Sequence, residues 1–252
     1  GYDQPSFSHF TSMAYWHTAA PNKGDPYGWC GRLADCLAPS PQPNYLINID
    51  TTQSLAVRSH VHTPVVFDEP DRFQRLGLRQ ERAALDDAGN QAEANNASLE
   101  FLNHVAVAAR ESSARVREAC AKYKTSVDYG ILPSHLPQVA ACIADGLPTR
   151  IYYVAYRNNA FDTHVQQPEL HQRLLSYVGD AVHGFFRDLE RIGQADRVSM
   201  LVFSEFGRRA PENSASCNTR RNTSALARSY GVFRAETQSG SIRSATTRGD
   251  RP

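Results

Sequence analysis

Ile151-Tyr152-Tyr153-Val154-Ala155-Tyr156 and Val198-Ser199-Met200-Leu201-Val202-Phe203 are the two compact runs whose reading decides the fold. Each is short, rich in β-branched and aromatic side chains and free of charge, the composition of a strand buried on both faces. Between them, Glu169 to Ile192 carries Leu170, Leu174, Val178, Ala181, Val182, Phe185, Phe186 and Leu189 on one face, and Gly193 follows. That is the period of an amphipathic helix with a glycine stop. Strand, helix and strand at this spacing form a βαβ unit, whose crossover makes the two strands parallel. Parallel strands end on the same edge of their sheet. The polar loops after Tyr156 and after Phe203 are therefore predicted to face one crevice, where open α/β sheets bind ligands.

Working upstream, Leu136 to Ile143 reads as a short helix, and Arg72 to Lys122, rich in Ala, Glu, Arg and Gln, as one long or interrupted helix with a polar middle at Asp86 to Asn96. Tyr45 to Ile49, Ser54 to Val57 and Pro64 to Phe67 are β-prone pieces between turns. Ser8 to about Ala20 fits a helix capped by its serine, and Gly28 to Leu37 a second one, with Trp29, Leu33 and Leu37 on one side. The fold class expected is α/β, a three-layer sandwich with a mainly parallel sheet. Downstream of Asn213 the pattern stops. Residues 214–252 have few large apolar side chains and many Arg, Ser and Thr, so the segment is expected to be disordered or the product of a shifted reading frame.

With 252 residues, 41% of them hydrophobic, the chain can bury one sizeable core. Its 27 Lys and Arg nearly cancel its 26 Asp and Glu, which leaves no global field to attract nucleic acid or an anionic membrane surface. No apolar run approaches the roughly 20 residues that cross a bilayer, and no basic-then-apolar leader opens the sequence. Gly1-Tyr2-Asp3-Gln4-Pro5 reads as a loop leaving a strand, so the N-terminus is expected to be cut. Cysteines stand at 30, 36, 120, 142 and 217 without a CxxC pair or a zinc spacing, the pattern of idle thiols.

The loops of the βαβ unit hold the chemistry. Asp162 and His164 present a carboxylate and an imidazole two residues apart, a donor set suited to zinc, manganese or iron, and His171 at the start of the next helix is a candidate third ligand. The plainer alternative makes Asp162 a turn cap and His164 a surface residue. Glu205 follows directly on the second strand, with Arg208 and Arg209 close behind. A carboxylate there can hold a metal or a proton and a guanidinium can grip an anion, unless the two simply pair and close the loop. Ser8 precedes a helix whose first N–H groups favour an anion, so it is either a nucleophile beside an anion site or a helix cap. His60 and His62 alternate along a β-prone piece and share a face, but no third ligand accompanies them.

Three blocks carry a resemblance. Ser8-His9-Phe10-Thr11-Ser12-Met13 with Trp16-His17-Thr18-Ala19, Ala160-Phe161-Asp162-Thr163-His164 with Gln167 and His171, and Ser204-Glu205-Phe206-Gly207-Arg208-Arg209 with Glu212-Asn213 together resemble the proteins grouped as domain of unknown function 1501. Their order and spacing span nearly all of residues 1–213, which the resemblance makes a partial domain of alkaline phosphatase and sulfatase type, with residues 214–252 as its tail. That family is similar to the sulfatase and alkaline phosphatase superfamily, whose members use a metal pair and an activated hydroxyl or modified cysteine at a helix start. The resemblance implies a metal-dependent hydrolase of phosphate or sulfate esters. Ser8, His9, Glu205 and Arg208 would be catalytic, Asp162, His164 and His171 would hold zinc or manganese, and a small anionic ester would be the substrate.

By the same analogy the protein is periplasmic or secreted; the balanced charge already gives no nucleic acid partner, and the oligomeric state is open. The departures also have consequences. An early Gly-Gly-Asp-Gly-type loop and a Thr-Asp-His-Gly block after Glu212-Asn213 are both missing, and Asn159-Ala160 stands where the family has Gly-Gly. The chain is therefore expected to be an incomplete, inactive fragment. A non-catalytic secreted binding protein on the same scaffold is the alternative.

Overall fold

The computed structural model describes residues 6, 8–72, 97–156, 160–164, 166–206 and 229–234. Five strands form one sheet among them: β1 (Leu46–Ile49), β2 (Val65–Phe67), β3 (Ile151–Ala155), β4 (Val198–Phe203) and β5 (Ser229–Arg234), in the order β2-β1-β3-β5-β4. The helices are α1 (His9–Thr18), α2 (Trp29–Leu37), α3 (Ala97–Lys122), α4 (Leu136–Ala144) and α5 (Gln167–Arg191). β2, β1 and β3 pair in parallel, while β5 runs antiparallel to both β3 and β4. Two reversals leave β4 pointing the same way as β3. The βαβ unit is thus present, with one strand inserted between its two arms.

Side-chain alternation along the strands sorts the core into two layers. Ile47, Ile49, Tyr152 and Val154 face a cluster built with Leu136, Val139 and Ile143 of α4 and Ala181, Phe185 and Leu189 of α5. Leu46, Ile151 and Tyr153 face the other way, onto Cys30 and Ala34 of α2 with Val57 and Phe203. The chain is α/β, with helices covering both faces of its sheet. No helix among the described residues is long and apolar enough to cross a membrane.

Two expectations change. Ser54 to Val57 is not a strand. Leu55–Val57 is a 3₁₀ turn, because the Ser54 hydroxyl accepts from the Ala56 N–H at 3.1 Å while the Ser54 N–H donates to Asn48 Oδ1 at 2.7 Å. These local bonds take up the backbone groups that a ladder would need. The tail also contains a strand. Ser229-Tyr230-Gly231-Val232-Phe233-Arg234 is short, but it holds three strand formers and satisfies the facing edges of β3 and β4 at once. The remainder of 214–252, and residues 73–96 of the expected long helix, lie outside the described residues.

α2 lies against the 3₁₀ turn with no room for a side chain at its contact points. A Cβ on Gly28 would stand 2.0 Å from the Ala56 carbonyl oxygen, and one on Gly31 would stand 2.1 Å from that of Arg58. The obstacle is backbone on both sides and cannot swing away. Gly31→Ala is expected to destabilise the fold by about 2 kcal/mol, read as a lower urea midpoint at unchanged slope. An unchanged midpoint would show that the two segments separate without cost.

Candidate functional site

The carboxyl ends of β3 and β4 deliver their loops to the start of α1. Ser8 caps that helix, its hydroxyl accepting from the Thr11 N–H at 3.4 Å, so His9 is the first residue in helical conformation. From there the His9 ring reaches both loops. Its Nδ1 lies 3.1 Å from Glu205 Oε1 and its Nε2 lies 3.7 Å from Asp162 Oδ2. The first is a hydrogen bond; the second has the separation of an ion pair rather than of a hydrogen bond. Asp162 Oδ2 is also 3.1 Å from His164 Nε2. Phe206 packs edge-on against the His9 ring at 4.6 Å. The result is a chain of four titratable groups, Glu205, His9, Asp162 and His164, drawn from three separate segments.

Burial divides their roles. His9 and His164 are half exposed or more, and Asp162 is partly covered. Glu205 is buried, and its Oε2 has no hydrogen bond among the described residues. A buried carboxylate oxygen without a donor is costly and is a position where a cation would be held.

The remaining candidates are placed differently. Ser8 is exposed at the helix start, and its hydroxyl is engaged in capping. His171 stands apart on α5, edge-on to Phe161 at 5.8 Å. It lines a groove of about 640 Å3 together with Gln167, Pro168, Gln172, Leu175 and Ser176, to which none of the four clustered groups contributes. Arg208, Arg209, Glu212 and Asn213 lie outside the described residues. Among the described residues no group of three or more His, Cys, Asp or Glu is arranged to hold a metal ion, so Asp162 and His164 stand as a pair.

His60 and His62 do not share a site. His62 is buried, stacks on Tyr45 at 4.7 Å, donates from Nε2 to the Ala38 carbonyl at 2.9 Å and accepts at Nδ1 from the Gln42 N–H at 3.3 Å. His60 instead packs edge-on to Tyr27. One residue of the first block, His17, had no role or partner in the sequence. His17, two turns beyond His9 on α1, has its Nε2 3.0 Å from the Tyr153 hydroxyl and packs edge-on to Tyr153 and Phe203, while Trp16 stacks on Phe203. Burial pulls the His17 pKa down to about 4, so the ring is neutral near pH 7. The spacing from His9 to His17 places both on one helical face, which was the available signal. His17 thereby seats the helix on β3 and β4 while His9 reaches their loops.

A family model described as "Protein of unknown function (DUF1501)" matches residues 2–218. No curated protein and no solved structure matches the chain.

Proposed function

The chain belongs to the DUF1501 family, and from that premise we propose that its site is that of a metal-dependent hydrolase of small phosphate or sulfate esters, akin to the sulfatases and alkaline phosphatases. The observation that carries the reading is the convergence of Asp162 and Glu205, from the ends of two like-directed strands, on His9 at a helix start. Helix starts favour anions, because their first N–H groups are free to donate and the helix dipole is positive there. The anionic ester would sit at the first turn of α1, with the Ser8 hydroxyl beside it.

In this reading Ser8 attacks the phosphorus or sulfur atom and its proton passes to His9, whose imidazolium is stabilised by Glu205 on one side and Asp162 on the other. The departing ester oxygen takes that proton from His9 and leaves as the alcohol; water then attacks the Ser8 ester, giving a proton to His9, which returns it to the Ser8 oxygen as the acid is released. Arg208 would bind the non-reacting oxygens by analogy with the family. A zinc or manganese ion, when bound, would offset the charge on the ester oxygens. The donor types fit such an ion. Asp162 and His164 would hold it, and Glu205 Oε2 is the buried oxygen that a cation would satisfy.

The Thr-Asp-His-Gly block is not in the sequence, and the ligand set is correspondingly short. A screen against p-nitrophenyl phosphate and p-nitrophenyl sulfate with zinc or manganese, paired with metal analysis, tests the reading. An extended form carrying that block is expected to turn over with stoichiometric metal and to lose about 100-fold in kcat/KM on Asp162→Ala. The 252-residue chain is expected to be inactive, or slower by a comparable factor. No turnover and no stoichiometric metal in either form would favour the second reading, a binding protein. The observation on that side is the engagement of Ser8 as a helix cap.

A further inference from the structure

Two of the cysteines that the sequence reads as idle meet in the fold. Cys142 lies in the last turn of α4, fully buried in the larger core cluster, and Cys120, in the last turn of α3, packs against that cluster and is partly exposed. Both are free thiols, and they share a hydrogen bond. Sulfurs in that contact stand a short approach from bonding distance. Their surroundings make them unlike. Accepting from the Cys142 S–H holds the Cys120 thiol below its ordinary pKa, against the opposing effects of burial and of the nearby Asp71 charge. The same bond, and then burial, holds the Cys142 thiol well above its ordinary value. The more exposed sulfur is thus the readier thiolate and the buried one keeps its proton, which is how an attacking and a resolving thiol are arranged. Cys30, buried in the other layer, differs: burial pushes its pKa up to about 12, which leaves it inert near pH 7.

We propose that Cys120 and Cys142 form a dithiol site that exchanges with an external disulfide and closes a covalent bond between α3 and α4. Cys120 loses its proton to solvent, and its thiolate attacks one sulfur of the external disulfide. A mixed disulfide forms at Cys120 and the first external thiolate leaves. Cys142 then gives up its proton and attacks the Cys120 sulfur, expelling the second external thiolate. The two departing thiolates take up the two protons, so the protein dithiol is oxidised to a disulfide while one external disulfide is reduced to two thiols. The closed loop contains Tyr123, Thr125 and Tyr129, which bond Arg191 and Asp188 of α5. Oxidation therefore fixes both ends of the segment that packs on α5, and constrains the unfolded chain as well.

The test is to incubate the folded 252-residue chain with oxidised glutathione, quench it in acid, alkylate it in denaturant and map its tryptic peptides without reduction. Cleavage after Arg117, Lys122, Lys124 and Arg150 puts Cys120 in peptide 118–122 and Cys142 in peptide 125–150, each with no other cysteine. The two peptides are expected to be recovered as one linked species, while Cys30 stays reduced. The oxidised chain should show a higher urea midpoint, and dithiothreitol should reverse both changes. The order of attack has its own readout. Cys142→Ser should stop at a glutathione adduct on Cys120, because no resolving thiol remains, whereas Cys120→Ser should leave Cys142 unmodified. A wild-type map in which Cys120 stays reduced, or carries glutathione without linking to Cys142, would overturn the proposal, as would a link that forms only in urea. Glutathione on Cys142 in the Cys120→Ser chain would overturn the assigned order.

Discussion

Asp188→Ala is expected to destabilise the fold by about 3 to 5 kcal/mol, the cost of removing one member of a buried charged network. Asp188 is fully buried on α5 and accepts from Thr125 Oγ1 at 2.7 Å, Tyr129 Oη at 2.7 Å and Arg191 Nε at 2.8 Å. Burial alone would push its pKa up, but the bonds from Tyr129, Thr125 and Arg191 outweigh burial and hold the carboxyl below its usual range. Burial first, and then the hydrogen bond to Asp188, drive the Tyr129 hydroxyl well above its ordinary pKa. Without the carboxylate, two hydroxyls and the Arg191 Nε–H lose their acceptor where α5 packs against the segment before α4. A Cβ on Gly184 there would stand 2.5 Å from the Asp128 carbonyl oxygen. Urea unfolding at pH 7 measures the loss, and a change under about 1 kcal/mol would show that water replaces the carboxylate without difficulty. Because the folded pKa is lowered, the stabilisation is present above the unfolded value near 3.9 and is lost as pH falls through the folded one.

A second acid-sensitive element acts at higher pH. The His17 pKa is lowered by burial from 6.5 to about 4 in the folded chain. Above pH 6.5 neither state binds the proton, and His17 adds no pH dependence. Between 6.5 and 4 the unfolded chain takes up a proton that the folded chain refuses, so stability falls as pH falls. The gap corresponds to up to about 3 kcal/mol, complete near pH 4. His17→Gln, which can still bond the Tyr153 hydroxyl, should remove that part of the slope. The measurement is the difference in unfolding free energy between pH 7 and pH 4.5 in the two proteins, since other titrating groups contribute equally to both. Equal differences would mean that His17 titrates freely in the fold.

The βαβ unit was legible because its signal is local and redundant. Ile151 to Ala155 and Val198 to Phe203 are uncharged throughout and mostly apolar, and the helix between them repeats its apolar face over many turns. Parallel direction then followed from the crossover rule, and with it the meeting of the Asp162 and Glu205 loops. Features that rest on long-range placement were not legible. Asp188 gave no sign of its partners, since Thr125 and Tyr129 lie 63 and 59 residues away. His62 read as a possible ligand because its acceptor, the Ala38 carbonyl, is backbone and carries no sequence signature. Ser54 to Val57 has the composition of a strand, but side-chain bonds to nearby N–H groups decide its geometry. Ser229 to Arg234 was hidden by its Arg- and Ser-rich surroundings, and its reason for extending is the space between two strands already in place.

That inserted strand has a bearing on how the chain is made. Synthesis runs from the N-terminus, so β3, α5 and β4 all leave the ribosome before Ser229 to Arg234 exists. Until it emerges, both sides of the slot that β5 fills are open strand edges, and β3 carries one of them with Tyr152 and Tyr153 at its centre. The described sheet is closed from the middle by its last-made strand rather than extended from an edge. Ladders between segments far apart in sequence form slowly, and open edges invite wrong partners in the interval. The nascent chain is thus most vulnerable to association between β4 leaving the ribosome and β5 arriving.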